Sequence, residues 1–284
     1  MDQKILALKL FQPFAHYRNP FTMDHPFTFP LPPRSTVVGM LQNLIEDPYG
    51  INHEKEWDDL EVYILGRNIS KFRHAVNLYK ADAYTFDIIQ KKFPVAMKSN
   101  PKYLNENKGF DSYEELFGVY LLILLRGNDK ILDQIKQKAG RKVVSLGRAE
   151  DIVFFQKVSL ISTSNLIETK SKFALIDNYG FYVLARGIDL EKFSNTLPMV
   201  GAALSSKFKI DGRLVRSRQE ILVNRNKVER EVILWRNNGE KKVYYVPPYS
   251  ELRNCPSIKK LTINSEDKEE SYYLVDEGWL DGQP

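Results

Sequence analysis

The segment FTFPLPPRSTVVGML, residues 27–41, predicts a stiff extended lead that runs directly into a helix. Its three prolines fix φ and remove backbone donors, which keeps the lead extended. Ser35 or Thr36 can cap the helix, because either hydroxyl can accept a hydrogen bond from a free amide of the first turn. Apolar side chains follow at the spacing of a helix with one buried face, at Val37, Val38, Leu41, Leu44 and Ile45.

Arg34 and Ser35 stand at the first turn of this predicted helix. Free backbone amides make a helix N-terminus an anion site, so the two residues are candidates for binding a phosphate. Every helix start carries such amides, however, and a helix entry that is only rigid and basic explains the same residues. The sequence leaves both interpretations open.

Composition limits the class of protein and its partners. The chain has 284 residues, a net charge of +5 and a pI near 9.0, which suits a polyanionic partner without requiring one. The one cysteine, Cys255, excludes an intramolecular disulfide framework and a multi-cysteine zinc site. Acidic residues lack metal-ligand spacing and the glycine-rich nucleotide motifs are absent, so we expect neither metal nor cofactor.

The sequence predicts a cytoplasmic protein that does not enter a membrane. Its N-terminus begins with a strand pattern and lacks the features of a signal peptide. The longest apolar run, residues 119–125, is far shorter than the stretch needed to cross a bilayer of about 30 Å.

The order of predicted elements indicates an α+β fold. Apolar runs at residues 4–11, 60–65, 117–126 and 152–158 predict strands, and a second helix begins after Asn128 and ends at Gly140. Strand, helix, strand, insertion, strand, helix and strand give the βαββαβ order of a ferredoxin-like, RRM-like domain. We therefore predict this domain over residues 1–158, with a long insertion at 67–116.

Residues 159–284 predict a β-rich C-terminal domain. Residues 179–186 have the pattern of a strand, and residues 189–195 that of a short helix. The turn sequence Asn237-Asn238-Gly239 between residues 232–236 and 242–246 predicts a β-hairpin.

The insertion combines cations with interleaved aromatic residues. Its first part carries Arg67, Lys71, Arg73, His74 and Lys80 among several Phe and Tyr residues. Cations follow a phosphate backbone and aromatic faces stack on unpaired bases, so the mixture favours single-stranded RNA. The alternative is a solvated excursion whose aromatic residues pack on the body of the protein.

Three motifs together resemble the Cas-five family of type I CRISPR interference complexes. The first is QPFAHYRNP at residues 12–20, a turn-rich exit from the first strand that carries Arg18. The second is the lead and helix entry at 27–41, and the third is LGRAED at 146–151, which contains Gly147 and Arg148. Ala stands at 149, where the family commonly has Ser. The resemblance covers roughly residues 1–157.

The resemblance implies a noncatalytic subunit of the surveillance complex Cascade in antiviral defence, most similar to type I-B or I-A members. Such subunits bind the 5′ handle of CRISPR RNA, cap the backbone filament and contact the large subunit that reads target DNA. The insertion would then be the family's thumb. The residues expected to bind RNA are Arg18, Arg34, Ser35, Arg67, Lys71, Arg73, His74, Lys80 and Arg148.

Two alternatives stay open beside this hypothesis. Relatives in type I-C systems cleave precursor RNA with a Tyr and an adjacent Lys-His pair, which supply proton transfer and charge stabilisation. None of the four histidines here follows a lysine, and His74, with Lys71 and Tyr79, is the best remaining candidate. We therefore expect no enzymatic activity. The second alternative is a ferredoxin-like module that binds another protein or a small molecule.

Overall fold

The computed structural model describes the following residues, to which every structural statement here refers: 4–18, 27–47, 50, 52–79, 108–168, 173–175, 178–184, 202–207, 209–210, 213–214, 216–223, 226–233, 235–249, 251–253, 258–264 and 269–280. They form a mixed α/β fold that is rich in sheet and has few helices. The predicted helix at 189–195 and the cation Lys80 lie outside the described residues.

Three α-helices lie within the described residues: α1 (Arg34–Leu44), α2 (Glu54–Asp58) and α3 (Asp129–Lys138). Single 3-10 turns occupy Thr163–Asn165 and Asp276–Gly278. Within the part of the chain described, no helix is long and apolar enough to span a bilayer.

The strands fall into two groups along the chain, before and after residue 162. Up to residue 162 they are β1 (Lys4–Ala15), β2 (Glu61–Arg67), β3 (Ser70–Tyr79), β4 (Lys108–Arg126), β5 (Val144–Ser145) and β6 (Ile152–Ser162). Beyond it they are β7 (Leu166–Glu168), β8 (Phe173–Leu175), β9 (Gly180–Leu184), β10 (Ala202–Lys207), β11 (Lys209–Ile210), β12 (Arg213–Leu214), β13 (Arg216–Val223), β14 (Asn226–Ile233), β15 (Trp235–Val246), β16 (Glu251–Arg253), β17 (Ile258–Asn264) and β18 (Glu269–Val275).

One nine-stranded sheet dominates the fold. Its order is β10-β15-β9-β2-β4-β1-β6-β5, and β3 pairs with the outer part of β4. β4 lies at the centre because its 19 residues pair with β1, β2 and β3. Smaller sheets join β17 with β18 and β7, β13 with β14, β11 with β12, and β16 with β8.

The alternation of β1 divides the interior into two cores. Leu6, Leu8 and Leu10 face the helices and pack in a core with Leu41 of α1. Residues of opposite parity, such as Ile5 and Ala7, face a second core built with β17 and β18. A strand buried on both faces explains why the sequence at 4–11 shows no polar alternation. The strand predicted at residues 4–11 is confirmed.

α1 confirms the predicted helix but not its cap. The residue that precedes the helix is Pro33, in an extended conformation, and no side chain caps the first turn. Ser35 and Thr36 lie inside the helix, so the prediction that either residue is the N-cap is wrong. Proline suits this position because it lacks the amide that would otherwise be left without a helical partner.

α3 confirms both of its predicted ends. The Asn128 side chain accepts a hydrogen bond from the amide of Lys130 and caps the first turn. Gly140 follows the last turn with φ at +77°, in the left-handed region that glycine adopts at low cost.

β1 and β4 both extend beyond the strands predicted from the sequence. Residues 12–15 continue β1 instead of forming a turn, and residues 108–116, part of the predicted insertion, form the first half of β4. β3 pairs with this half of β4 in a continuous register from Ser70 opposite Phe117 to Tyr79 opposite Lys108. We call this pair of segments the ribbon.

The C-terminal half continues the main sheet. β9, at 180–184, confirms the predicted strand and pairs with β2 and β15. β6 runs through residue 158, so the boundary between the two predicted domains falls inside a strand. The division into two domains stays a prediction.

The predicted hairpin around Asn237-Asn238-Gly239 is wrong. These residues lie within β15, which continues from Trp235 to Val246. β15 pairs with β10 on both sides of a register shift, with Ser205 opposite Asn237 and Ala203 opposite Lys242. A partner strand distant in sequence thus overrides the local turn chemistry, and the extra residues are taken up as a bulge.

Candidate functional site

The three motifs of the N-terminal half meet at one place, where the ribbon joins the main sheet. The Gln12 side-chain amide donates to the carbonyls of Leu146 (2.9 Å) and Asp151 (3.1 Å). The backbone amide of His16 donates to Asp151 Oδ2 (3.0 Å), and its ring Nδ1 lies 2.6 Å from the carbonyl oxygen of Glu114. We call the site the junction and define it by Gln12, His16, Glu114, Glu115, Arg148 and Asp151.

The extended lead closes one side of the junction. The amide of Tyr17 donates to Thr28 Oγ1 (2.9 Å), and the amide of Phe29 donates to the carbonyl of Tyr17 (2.8 Å). The amide of Thr28 also donates to Glu114 Oε2 (3.3 Å). These bonds attach the segment before α1 to the end of β1, because backbone donors in a buried place need partners.

Gly147 allows the turn between α3 and β6 to approach the end of β1. Its φ is +115°, and a Cβ atom there would stand 2.6 Å from Asp151 Oδ2 and 2.9 Å from the carbonyl oxygen of His16. Asp151 accepts from the amide of Arg148 as well, at 2.8 Å. A buried carboxylate with two backbone donors therefore organises this turn.

Arg148 binds carboxylates within the protein. Its guanidinium donates to Asp151 Oδ1 (2.8 Å) and to Glu115, and it lies 4.9 Å from the centre of the Tyr113 ring. Burial by itself lowers the pKa of Arg148, but hydrogen bonds to Asp151, Glu115 and Tyr113 outweigh it and raise that pKa above its usual value. The guanidinium is therefore a permanent cation held between two buried acids.

The ribbon contributes two further side chains to the junction. Lys71 Nζ lies 3.2 Å from both carboxylate oxygens of Glu114. His74 Nε2 lies 2.7 Å from Glu115 Oε2, and its ring stacks on Tyr113 with centroids 5.5 Å apart. Lys71 keeps 52% of its side chain exposed, whereas the two glutamates are nearly buried. Lys71 can thus contact solvent or a ligand while remaining paired.

Arg34 occupies the inside of the helix entry. Nε donates to the carbonyl of Leu280 (3.2 Å), and Nη2 donates to the carbonyls of Trp57 (2.8 Å) and Leu60 (2.7 Å). Arg34 thereby connects the start of α1 with α2, with the residue before β2 and with Leu280 near the C-terminus. Ser35 is half-buried in the first turn of α1. A phosphate contact by either residue stays a prediction.

The other predicted cations lie at the surface. Arg67 lies over the ring of Tyr120 (4.8 Å) and near that of Tyr179 (5.8 Å), and Arg73 lies 5.7 Å from the centre of the Phe27 ring. Arg18 is exposed and forms an isolated bridge with Thr28. The structure brings Lys71, His74 and Arg148 together, and it leaves Arg34 apart from them.

The junction acids were missed in the sequence. Glu114 and Glu115 lie at the end of the predicted insertion, whose expected role rests on its cations and aromatic residues. The signal that could have found them is SYEELFGVYLLILLR at 112–126, which can be read as one long strand with acids at its entry. Among the described residues, no group of three or more acidic, His or Cys side chains has the arrangement of a metal site.

The fold and the junction together define a sheet-rich α/β protein with a two-stranded ribbon fixed to its central strand. A family model described as CRISPR-associated protein (Cas_Cas5) matches residues 5–233. The chain therefore belongs to the CRISPR-associated Cas5 family, which confirms the resemblance found in its motifs. No curated protein matches the sequence.

Several solved structures of CRISPR proteins are similar to this chain. A CRISPR protein from Archaeoglobus fulgidus is 12% identical over 95% of this chain and 99% of its own, with a TM-score of 0.38. A chain of a CRISPR RNA-guided surveillance complex is 13% identical over 89% of this chain and 91% of its own, with a TM-score of 0.43. A Cas protein is 18% identical over 52% of this chain, with a TM-score of 0.30. The match spans only 58% of the length of that protein.

Proposed function

We propose that this chain is a noncatalytic subunit of a Cascade-type complex, in which it binds the 5′ handle of CRISPR RNA and caps the backbone filament. Its partners would be the CRISPR RNA and the backbone and large subunits, with target DNA bound indirectly. Family membership supports the role in a CRISPR complex. The RNA contact is supported by the ribbon.

We infer a ferredoxin-like arrangement for the N-terminal half. In favour of it, β6, β1, β4 and β2 lie side by side and antiparallel. α1 connects β1 to β2, and α3 connects β4 to β6 by way of β5. The ribbon is then an insertion between the second and third strands of this unit, the position proposed for the thumb.

The observation that carries the RNA proposal is the charge of the ribbon at its base. Lys71 and Arg73 are exposed on β3, and Arg67 is exposed at the end of β2. The acids Glu114 and Glu115, in contrast, are buried behind them on β4. The surface presented to solvent is therefore basic although the local charges nearly balance, and basic surfaces supply most of the affinity for phosphate backbones.

A salt titration tests this proposal. The full chain is titrated into labelled RNA that carries the repeat of a CRISPR array, at several salt concentrations. Replacing Arg67, Lys71, Arg73 and Lys80 with Ala should weaken binding. It should also flatten the salt dependence by about one unit of log–log slope for each phosphate that is no longer neutralised.

The matched control removes four exposed cations from the helices and the turn after α3, Lys55, Lys130, Lys136 and Arg141. It should bind almost as the wild-type chain does, because only the total charge has changed. Equal losses in the two variants would mean that RNA binding depends on net charge alone, and unchanged binding in both would contradict the proposal.

We also propose that the isolated chain does not cleave precursor RNA. His74 Nε2 lies against Glu115 and Lys71 Nζ lies against Glu114, so a carboxylate already engages each of the two side chains. A gel assay with labelled precursor and EDTA should show no product. A specific product at the handle boundary that disappears in His74→Ala would establish the alternative, a metal-independent ribonuclease.

A further inference from the structure

A row of aromatic rings crosses the face of the main sheet opposite to the helices. Phe11 of β1 pairs with Tyr120 of β4 on one side and Phe154 of β6 on the other. Their ring centroids lie 5.0 Å and 6.4 Å from that of Phe11. Phe154 is 52% exposed, and the other two rings are half-buried.

An irregularity shared by β1 and β4 brings a second group of rings to the same face. In a regular strand, residues three positions apart face opposite sides of the sheet. Gln12 and Ala15 nevertheless both face the interior, so β1 is irregular between them and Phe14 is turned outward. Gly118 makes the same shift possible on β4, with φ at +61°. Phe14 therefore meets Phe117 (5.4 Å) and Phe72 of the ribbon (6.3 Å). Six residues together form what we call the aromatic platform: Phe11, Phe14, Phe72, Phe117, Tyr120 and Phe154.

Cations border the platform. Arg67 lies over Tyr120 at one end of the row. Lys9 and Lys157 are register partners on β1 and β6, one row further along the same face, about 7 Å away. Lys9 Nζ lies 2.8 Å from a carboxylate oxygen of Glu270. Burial raises the pKa of Glu270, but the hydrogen bonds from Lys9 and Tyr272 outweigh it, so the pKa of Glu270 is lowered.

From this surface we infer that the aromatic platform binds two or three unpaired bases of single-stranded RNA by stacking, while Arg67, Lys9 and Lys157 face the sugar–phosphate backbone. The inference rests on the proposed function and deepens it by naming where the bases lie. Aromatic residues on neighbouring central strands of a four-stranded sheet are a common means of stacking bases. A protein-docking surface would use the same apolar area, but it would not depend on the π-faces of the rings.

The test compares substitutions at Phe154, the most exposed ring. Full-chain wild type, Phe154→Ala, Phe154→Leu and Phe154→Trp are titrated into a labelled twelve-nucleotide oligoadenylate and into an abasic strand of the same length. Both the Ala and the Leu variant should bind oligoadenylate about tenfold more weakly than wild type, because one base no longer stacks. The salt slope should stay unchanged, since every phosphate stays neutralised. The Trp variant should bind at least as tightly as wild type.

Two controls make the result specific. Ile167→Ala removes another exposed apolar side chain, on β7, and should leave affinity unchanged. The abasic strand should bind weakly and equally to wild type and to the Phe154 variants, since it offers phosphates without bases. Melting temperatures within about 2 °C of wild type show that each variant is folded.

The possible failures are distinguishable. If wild type binds oligoadenylate but Phe154→Ala and Phe154→Leu bind as wild type does, the platform is not the base site and the proposed function stands. If the Leu variant alone keeps wild-type affinity, apolar contact rather than stacking is responsible, and the inference is wrong. If wild type binds neither oligoadenylate nor repeat RNA, the proposed function fails and the inference fails with it.

Discussion

The junction and the aromatic platform lie on neighbouring parts of the same strands, yet their side chains are used in opposite ways. In the junction, cationic and acidic groups satisfy one another, and Arg148 is held by Glu115 and Asp151. On the platform three of the six rings are exposed, with Phe14 at 45%, Phe117 at 40% and Phe154 at 52%. The junction is therefore suited to holding the ribbon in place, and the platform is suited to binding.

The difference shows why a basic motif is a weak guide to a binding site. The LGRAED turn and the helix entry are the two segments whose arginines looked most ready for phosphate, and both arginines are bound to groups of the protein itself. An ionised side chain that is partly buried needs a partner before the ligand arrives, because desolvating it alone is costly. Substitutions in the junction should therefore change stability, and substitutions on the platform should change affinity.

Arg148→Ala should have the largest effect, on stability. It leaves Asp151 and Glu115 buried without their counter-ion, and breaking such a pair from one side costs about 3 kcal/mol or more. The expected fall in melting temperature is about 6–10 °C. The sequence predicts Arg148 as an RNA contact, whereas its buried carboxylate partners point to a structural role that this substitution tests.

Arg141→Ala, at an exposed position near the same turn, is the matched control and should melt within about 1 °C of wild type. If Arg148→Ala melts like this control and loses RNA binding instead, Arg148 acts on the ligand and the distinction between the two regions is wrong.

Gly147→Ala should have the next largest effect, on the free energy of unfolding. The new Cβ would stand 2.9 Å from a backbone oxygen of His16, and the φ of +115° is unfavourable for alanine, so we expect a loss of about 2 kcal/mol in unfolding free energy. Urea unfolding measures it. Gly39→Ala is the contrast, because nothing lies within 4 Å of its added Cβ in α1. That substitution should stabilise by about 0.5–1 kcal/mol, and a similar loss in both variants would contradict the prediction.

Tyr17, next to the junction, should make the free energy of unfolding depend on pH in the alkaline range. Burial, followed by the nearby charges of Asp151 and Tyr182, raises the pKa of Tyr17, and burial raises the pKa of Tyr245 to about 12. An unfolded tyrosine loses its proton near pH 10, so this stability is complete below about pH 10 and is lost as the pH rises toward 12 and above. Each such tyrosine contributes a slope of up to about 1.4 kcal/mol per pH unit.

Unfolding free energies measured from about pH 9 to 11.5 test this. Tyr17→Phe should reduce the alkaline slope whatever it does to stability near neutral pH, whereas Tyr249→Phe, at a position 68% exposed, should leave the slope unchanged. Identical slopes in all three proteins would show that Tyr17 ionises as readily in the folded chain as in the unfolded one.

Glu270→Gln should have the smallest effect, and on affinity rather than stability. The carboxylate binds Lys9 at the edge of the platform and competes with a phosphate for it. Removing its charge should tighten RNA binding about threefold at moderate salt and steepen the log–log salt slope by at most about one. Asp133→Asn, an exposed position on α3, changes the net charge equally and should alter the affinity far less. Equal gains in both would mean that Glu270 acts only through net charge.

The amino-acid sequence was enough to predict the elements whose signals are local. Apolar period and end residues predicted α1 and α3, and continuous apolar runs predicted β1, β2 and the inner half of β4. These signals suffice because a helix or a buried strand is recorded in the spacing of neighbouring side chains. The family resemblance could be found for the same reason, since its motifs are short and continuous.

The partner of each polar side chain depends on the tertiary structure. Gln12 bonds to a carbonyl 134 positions away, and Arg148 pairs with a glutamate 33 positions away. No local pattern encodes such pairs, because they depend on how β1, β4 and the turn before β6 are aligned. The same alignment placed Asn237 inside a strand instead of a turn and gathered rings from four strands on one face of the sheet. A side chain's residue type sets what it can bind, and the register of distant strands sets whether that capacity is used inside the protein or left for a ligand.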